Sequence, residues 1–420
     1  MGNSELKNII KNSFYLYLIQ GLNYLLPLVT LPYLLIVLSI EEFGKYSFAF
    51  AASQFFVLFV DFGFNLSATK KIAENSDSED VIRDVYWNIT IIKCVLFILT
   101  FIVAVISVFL FDKLYVYREG ILISMIMILG TAIFPVWWFQ GLNRMKELSI
   151  INIISKILTY PLIFVFVTKP TDSGIAIFLQ SLTFLVAGLI SIIYIYKTHR
   201  TYFKEIRFGS WQSYIDEIKD SWLIFLSNSS ISLYTNSLTL ILGFFSTTYN
   251  VGLFSAMERI VRVVCFGVLG PVNQACFPVI AKLKINDLEK AKQIFKIILI
   301  TIFLIMVIAF GAILGLQDLI INKFLKEYSE APNLLIPFML MIFPIALGGV
   351  LGQLGLLGLG QEEQKRIFSR VYTIVGILSL PVTLLLIYYM NVRGAIYSML
   401  AVEMIIFILM LYFVKKYKYI

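Results

Sequence analysis

Charged residues are scarce in this sequence: Asp, Glu, Lys and Arg make up 14% of its 420 residues, whereas hydrophobic residues make up 59%. Soluble domains carry about a quarter of charged residues, so this composition excludes an ordinary soluble fold. Apolar runs recur from end to end at about 20 residues, the length that spans a bilayer. The short alternating segments typical of a membrane β-barrel are absent. The sequence therefore predicts an all-α, polytopic membrane protein.

Histidine and cysteine are nearly missing too. The one histidine, His199, falls in a basic connection, and the three cysteines fall in apolar segments without paired spacing: Cys94, Cys265 and Cys276. We interpret these cysteines as small core residues. The sequence predicts neither a metal site nor a His-centred nucleophile, and it implies no cofactor. A net charge of +8 would suggest nucleic acid as a partner of a soluble protein. Here the charge follows from membrane topology, and no nucleic-acid partner is predicted.

Twelve apolar stretches are long enough to be transmembrane helices. With the first residues in the cytoplasm, 23 of the 34 lysines and arginines fall in cytoplasmic segments and seven in exterior turns. Because Lys and Arg are enriched on the cytoplasmic side, both termini are predicted to be cytoplasmic. The predicted spans are residues 14–38, 43–64, 86–111, 120–139, 148–168, 174–196, 222–245, 252–281, 295–316, 333–359, 370–390 and 394–414.

These spans are predicted to form two six-helix lobes. The lobes are residues 1–200 and 222–420, and the basic segment 201–221 is predicted to be a cytoplasmic linker. No other segment outside the spans is longer, so no separate soluble domain is expected.

Short sequences of the first half return in the second half in the same order. Examples are GKYS at 44–47 with GLFS at 252–255, and ILTYP at 157–161 with ILSLP at 377–381. Six spans per repeat is an even number, so both halves enter the membrane in the same direction. We therefore predict parallel repeats about an axis along the membrane normal, an arrangement typical of transporters that rock between two states.

The first span carries two prolines and two amides. Neighbouring helices can satisfy the carbonyl groups that Pro27 and Pro32 free, which predicts a bendable helix. Gln20 and Asn23 are three residues apart and share a helical face. That face suits the lining of an internal cavity, and an interhelical hydrogen bond that serves packing alone explains the two amides equally well.

Basic side chains well inside the predicted spans, away from the span ends, mark the candidate substrate site. They are Lys93, Lys156, Arg259 and Arg262. A charge at the bilayer centre costs roughly 2.5–3.5 kcal/mol on insertion scales, so such side chains normally face water or a partner. A cavity that they line would be cationic and would suit a diphosphate, because Arg binds it with two hydrogen bonds and Lys as a point charge.

The acids inside the spans are candidates for ion coupling or for pairing. They are Asp61, Glu258 and Glu403. Glu258 lies four residues before Arg262, a spacing that favours an ion pair within one helix. The alternative for every one of these charges is a buried salt bridge that fixes helix register, with Lys156 and Glu403 as one such pair. None of the charges is repeated in the other half, as expected for an asymmetric substrate.

The end of the fourth span, PVWWFQGLNR at 135–144, combines aromatic and amide side chains. Adjacent tryptophans before a basic turn are typical of an interfacial aromatic anchor, which we predict for Trp137 and Trp138. Gln140 and Asn143 are candidates for polar groups that face sugar at the cytoplasmic mouth of a cavity.

The sequence resembles the Wzx-type polysaccharide repeat-unit flippases of the multidrug/oligosaccharidyl-lipid/polysaccharide exporter superfamily. The resemblance covers nearly the whole chain. The stretches that carry it are NYLLPLVTLPYL, EEFGKYSFA, DFGFNLSATKKIA and PVWWFQGLNRM in the first half, and LYTNSLTLILGFFS and VGLFSAMERIVR in the second.

This resemblance implies transfer of an undecaprenyl-diphosphate-linked oligosaccharide to the outer leaflet of a bacterial inner membrane, for O-antigen or capsule assembly. It also implies a cationic cavity, coupling to protons or another ion, and membrane lipid as a partner. Polysaccharide polymerase and chain-length regulator proteins are further partners that it suggests. The family's motif positions fall at Asp61, Gln140, Gly141, Tyr234, Asn236, Glu258 and Arg262.

Other classes stay open beside this one. A drug/ion antiporter of the same superfamily would share the architecture, but few acids lie in the spans, which disfavours export of organic cations. A polysaccharide polymerase or ligase typically needs a sizeable exterior loop with catalytic groups, and the longest exterior turn here is about residues 317–332. A lipid II flippase is disfavoured by the number of spans. We expect a transporter and not an enzyme.

Overall fold

The computed structural model describes residues 26, 29–204, 207–326, 328 and 330–420. Within these residues every regular element is a helix, and residues 29–37 are helical as well. The elements that follow are α1 Ile40–Asp61, α2 Phe64–Glu74, α3 Glu79–Leu110, α4 Asp112–Tyr115, α5 Arg118–Ile133, α6 Val136–Gly141, α7 Met145–Phe166, α8 Ser173–Thr198, α9 Thr201–Lys204, α10 Trp211–Phe245, α11 Thr248–Asn286, α12 Leu288–Gly315, α13 Gln317–Phe324, α14 Ala331–Met339, α15 Ile342–Val350, the π-helix Leu351–Leu359 and α16 Glu362–Lys416.

The predicted all-α membrane architecture is confirmed. Eight helical stretches of the described chain are long and apolar enough to cross a membrane. The predicted spans 222–245 and 252–281 lie within α10 and α11, and the last two predicted spans share α16, which leaves helical geometry at Asn391 with φ 51° and ψ −127°. The number twelve stays a prediction, because most of the first span lies outside the described residues.

The chain forms two compact units. The first unit contains Lys45–Ser229 together with the chain up to Leu38, and the second contains Ser39–Gly44 and Ser230–Ile420. The change of unit falls inside α10. The segment 201–221 holds α9 and the first turns of α10, and its role as a linker between lobes 1–200 and 222–420 stays a prediction.

Glycines let α5 and α8 of the first unit pack closely. A Cβ at Gly130 would lie 2.4 Å from the backbone nitrogen of Leu185, and one at Gly188 would lie 3.0 Å from the carbonyl oxygen of Gly130. In lipid the hydrophobic effect does not drive helices together, so close backbone contact and dispersion hold such a pair. The outer faces of the bundle remain apolar. Phe109 of α3 is 63% exposed and suits contact with lipid tails.

A sharp bend separates α1 from α2. Phe62 has φ 45° and Gly63 has φ 82°, so both lie in the left-handed region. At Gly63 a side chain is also excluded by space, because a Cβ would lie 2.9 Å from the Cβ of Ile224 on α10. Glycine therefore allows both the turn and the close approach of α10. The bend ends the predicted second span at its polar residue Asp61.

The second unit contains a reciprocal glycine contact between the starts of α1 and α11. A Cβ at Gly44 would lie 2.0 Å from the carbonyl oxygen of Thr248, and one at Gly252 would lie 2.7 Å from the carbonyl oxygen of Ile40. Each glycine thus meets the residue four positions before the other. Gly44 and Gly252 are the first residues of the repeated sequences GKYS and GLFS.

Candidate functional site

Lys93 and Asp61 form an ion pair in the first unit. The Lys93 ammonium lies 3.2 Å from Asp61 Oδ1, and the lysine side chain is 1% exposed. Asn65 donates a hydrogen bond of 2.9 Å to the other carboxylate oxygen. Because the pair joins α1 to α3, it fixes the register of these helices, the alternative left open from the sequence. A substrate contact for Lys93 stays a prediction.

Lys156, the other basic candidate of the first unit, lies in the middle of α7 and is 9% exposed. The salt bridge considered from the sequence between Lys156 and Glu403 would join residues of different units. That pairing stays a prediction.

The second unit contains Glu258, Arg262 and Glu403. The ion pair predicted from the four-residue spacing is confirmed, since Arg262 donates to Glu258 Oε1 through Nε at 2.9 Å and through a terminal nitrogen at 2.7 Å. Glu403 of α16 is 9% exposed.

Arg259 lies one residue after Glu258 and on a different face of α11. Its guanidinium carbon is 5.5 Å from the centre of the Phe43 ring. A cation over an aromatic face gains about 0.5–2 kcal/mol, more when water is excluded. The ring of Phe43 therefore helps to hold the guanidinium of Arg259 in place.

The tryptophan pair corrects a sequence interpretation. Trp137 and Trp138 are 0% exposed, so neither is an interfacial anchor. The Trp137 ring packs 6.0 Å from Tyr86, and the Trp138 ring packs edge-on at 5.3 Å from His199. Two tryptophans before a basic turn fit an anchor in the sequence, but in the structure both rings belong to a buried cluster that includes Phe64 and Tyr202.

The amides of the same stretch occupy different environments. Gln140 is half-buried and its Oε1 lies 3.4 Å from the hydroxyl of Thr69 on α2. Asn143 is exposed and adopts φ 55°, a conformation that Asn tolerates better than most residues. Gln140 thus contributes to helix packing and Asn143 to the turn into α7. Sugar contacts for either residue stay predictions.

The remaining polar candidates are only partly described. Asn236 of α10 is half-buried and donates a hydrogen bond of 3.1 Å to the hydroxyl of Ser232. Tyr234 lies in the same helix, and its side chain lies outside the described part of the chain, as do Gln20 and Asn23. The cavity-lining role of these four residues stays a prediction.

A polar seam that the sequence analysis missed joins α2 to the start of α10. Ser67 and Ser221 share a hydrogen bond of 2.7 Å, and one turn further the Lys71 ammonium lies 2.5 Å from Glu217 Oε1. The contacts advance by four residues on α2 and retreat by four on α10, as two antiparallel helices require. Burial raises the pKa of the Glu217 carboxyl, and the hydrogen bond and charge of Lys71 oppose that shift.

The sequence shows two pairs of polar residues with a spacing of four, at positions 67 and 71 and at positions 217 and 221. Only the structure shows that the two sets face each other. Beside the seam lies a polar cavity of about 480 Å³ within the first unit.

A model of the family described as "Polysaccharide biosynthesis protein" matches residues 9–284 of this chain. The chain belongs to the polysaccharide biosynthesis protein family. Two proteins with the name "Putative O-antigen transporter" are similar to it over their full length. The protein from Escherichia coli (strain K12) is 34% identical, over 99% of this chain and 99% of its own length. The protein from Shigella dysenteriae is 32% identical, over 96% of this chain and 100% of its own length.

Solved structures show which fold this polysaccharide biosynthesis protein shares. The lipid II flippase MurJ in an inward closed conformation matches with a TM-score of 0.70 at 13% identity, over 97% of this chain and 87% of that one. An inward-facing multidrug resistance MATE family transporter of the MOP superfamily matches with a TM-score of 0.64 at 15% identity, over 93% and 94%. At these identities the likeness shows the fold alone. The protein is a multi-pass membrane protein with this transporter fold.

Proposed function

We propose that the protein is a flippase that moves undecaprenyl-diphosphate-linked oligosaccharide units across the bacterial cytoplasmic membrane, for O-antigen or capsule assembly. The full-length similarity to two proteins named as O-antigen transporters carries this proposal. The transporter fold and the ionisable side chains held at the depth of apolar helices support it. Both termini lie in the cytoplasm, in agreement with the distribution of Lys and Arg.

The test is a deletion strain in which lipid-linked saccharides are analysed separately for each leaflet. We expect single repeat units to accumulate on the cytoplasmic face and a plasmid copy to clear them. If single units instead reach the outer leaflet and stay unpolymerised, the protein acts after transfer, as a polymerase or ligase would. A changed drug resistance profile with normal surface polysaccharide would favour the drug/ion antiporter.

Within this proposal, Arg259 and Lys156 contact the diphosphate during transport, and Glu403 or Asp61 takes part in ion coupling. Arg259 has a ring-held guanidinium, and Lys156 is buried in an apolar helix. We expect Arg259→Ala and Lys156→Ala each to reduce surface polysaccharide in the rescued strain by at least about tenfold, which corresponds to about 1.4 kcal/mol.

Lys169→Ala removes a lysine of the same charge from an exposed position after α7, and it is the matched control. Normal polysaccharide levels in both Arg259→Ala and Lys156→Ala, at normal protein amounts, would remove the diphosphate assignment and leave the flippase proposal standing.

A further inference from the structure

The first unit contains a half-open cavity, lined mainly by polar and charged residues, to which the flippase proposal gives no role. Its volume is about 480 Å³, within the range of roughly 300–1,000 Å³ that is common for small-molecule sites. The wall is formed by α2, the first turns of α3, the connection 207–210 and the first turns of α10. All of these elements belong to the first unit, and the seam of Lys71 and Glu217 forms one side.

The charges of the wall exclude an anion as the ligand. Lys71 is paired with Glu217 at 2.5 Å, and Arg207 lies 3.5 Å from Asp84. With Asp216, the wall carries three carboxylates against two cations. A phosphate or diphosphate would meet a net negative wall whose cations are already engaged. The described residues also contain no cluster of His, Cys, Asp and Glu that could hold a metal ion.

A buried amide in the wall has a hydrogen-bond donor that the protein uses only weakly. Asn88 of α3 is 6% exposed, and its Oδ1 has no hydrogen-bond partner among the described residues. Its Nδ2 has one weak contact, at 3.4 Å to the hydroxyl of Ser213. The Oδ1 atom is covered by the backbone at Gly209 and is not open to the cavity, whereas Nδ2 carries two hydrogens and makes one weak contact, so a donor remains available.

The connection 207–210 is shaped around this amide. A Cβ at Gly209 would lie 2.3 Å from Asn88 Oδ1 and 2.4 Å from the hydroxyl of Ser213. Only glycine lets the backbone come so close to both polar groups. The Gly209 amide itself donates to the hydroxyl of Tyr214 at 3.1 Å.

The mixture of groups fits a neutral sugar ring. The carboxylates of Asp84 and Asp216 can accept hydrogen bonds from hydroxyl groups, and Nδ2 of Asn88 can donate one. Val81 and Val85 line the same cavity and offer an apolar surface to the C–H face of a ring. A polyhydroxylated ligand satisfies donors and acceptors at once and needs no net charge in the wall.

We propose that this cavity binds a neutral sugar residue of the lipid-linked oligosaccharide on the side where the substrate enters. The proposal rests on the flippase function and adds a subsite that selects the sugar. Since the cavity lies among segments predicted to be cytoplasmic, it would take the sugar before translocation.

The direct test uses the full-length protein in lipid nanodiscs and saturation-transfer NMR. The probes are the free sugars glucose, galactose, mannose and N-acetylglucosamine, with inorganic phosphate as the anionic comparison. We expect saturable binding of at least one sugar, unaffected by phosphate. Asn88→Leu keeps the number and branching of the side-chain heavy atoms, removes both polar groups, and should weaken that binding by at least about tenfold. Ser213→Ala should weaken it too.

The matched control is Asn75→Leu, the same substitution at an exposed position at the end of α2, outside the cavity. It should bind sugar as the wild type does. Asn88→Leu should fold normally, because Asn88 makes only one weak hydrogen bond in the protein. Absence of saturable sugar binding, equal binding in wild type and Asn88→Leu, or competition by phosphate would each overturn the proposal.

A second experiment, in cells, tests the sugar subsite separately from the proposed flippase function. In the deletion strain, the wild-type plasmid decides whether the protein flips lipid-linked saccharides at all. If the wild type clears them and Asn88→Leu clears them at the same rate, the sugar subsite is refuted and the flippase function stands. If the wild type fails to clear them, the flippase function is refuted, and the subsite falls with it as a part of transport.

Discussion

The buried ammonium of Lys93 is tolerated inside an apolar helix because it forms an ion pair with one carboxylate. Asp61 lies 3.2 Å away, and its side chain is 18% exposed. Replacing one partner of a buried pair leaves the other charge uncompensated, which typically costs 3–5 kcal/mol. Partial exposure of Asp61 reduces that cost here, since water can solvate the carboxylate.

We predict that Lys93→Met lowers the free energy of unfolding in detergent by about 2 kcal/mol. The double variant Lys93→Met with Asp61→Asn should recover most of this loss, because no charge is then left unpaired. Thermal and denaturant unfolding of the purified variants measure both effects. Lys70→Met, at a side chain 76% exposed, is the control and should change little. Equal losses in the single and the double variant would contradict a pair.

His199 is predicted to make the stability of the protein depend on pH. Burial and the charge of Arg144 lower the pKa of His199 from its ordinary value of 6.5, while Glu79 acts in the opposite direction. The folded chain therefore binds the proton more weakly than the unfolded chain. The contribution of His199 to stability is full above pH 6.5 and is lost as the pH falls towards the lowered pKa.

The measurement compares the unfolding midpoint of wild type and His199→Gln between about pH 7.5 and about pH 5.5. We expect the midpoint to fall on acidification more steeply in the wild type. Carboxylates elsewhere titrate in both proteins and cancel in the difference. Identical slopes would show that His199 has no part in the pH dependence.

At the scale of the element, glycines decide which helices can touch. The starts of α1 and α11 meet at Gly44 and Gly252, and each glycine faces backbone atoms of the other helix. A backbone obstacle cannot rotate away as a side chain can, so even one methyl group must displace a helix.

Gly44→Ala is therefore predicted to destabilise the protein by about 2 kcal/mol, in spite of the better helix propensity of alanine. Gly311→Ala is the matched control, because Gly311 lies in α12 and a methyl group placed there would have no atom within 4 Å. It should be neutral or stabilising by about 0.5–1 kcal/mol. Unfolding midpoints of the two variants, taken side by side in one detergent, make the comparison. Similar values for both would show that the glycine contact does not form.

For the molecule as a whole, the distribution of positive charge predicts the topology. Ser76 follows α2 on the side predicted to be cytoplasmic, and Thr171 precedes α8 on the side predicted to be exterior; both are exposed. In a variant without native cysteines, Thr171→Cys should react with a membrane-impermeant maleimide added to spheroplasts. Ser76→Cys should react only after the membrane is broken. The reverse pattern would invert the topology, and the cavity beside α2 would then open to the exterior.

The sequence by itself determined the helices, the membrane class and the family. These depend on local properties: the length of an apolar run against the thickness of a bilayer, and the spacing within one helix. The ion pair of Glu258 and Arg262 was predicted for the same reason, since four residues bring two side chains to one helical face. The resemblance over nearly the whole chain predicted the family, and the match to the family model confirmed it.

Only the tertiary structure decided which side chains meet across helices. It paired Lys93 with Asp61 and Lys71 with Glu217, buried Trp137, and formed the cavity beside the seam. The physical reason lies in the membrane. Lipid tails are as apolar as the side chains that pack helices together, so a helix face that meets lipid and one that meets a neighbour have much the same composition. Periodicity then cannot tell which face turns inward, and contacts between distant parts of the chain stay undetermined until the helices are placed.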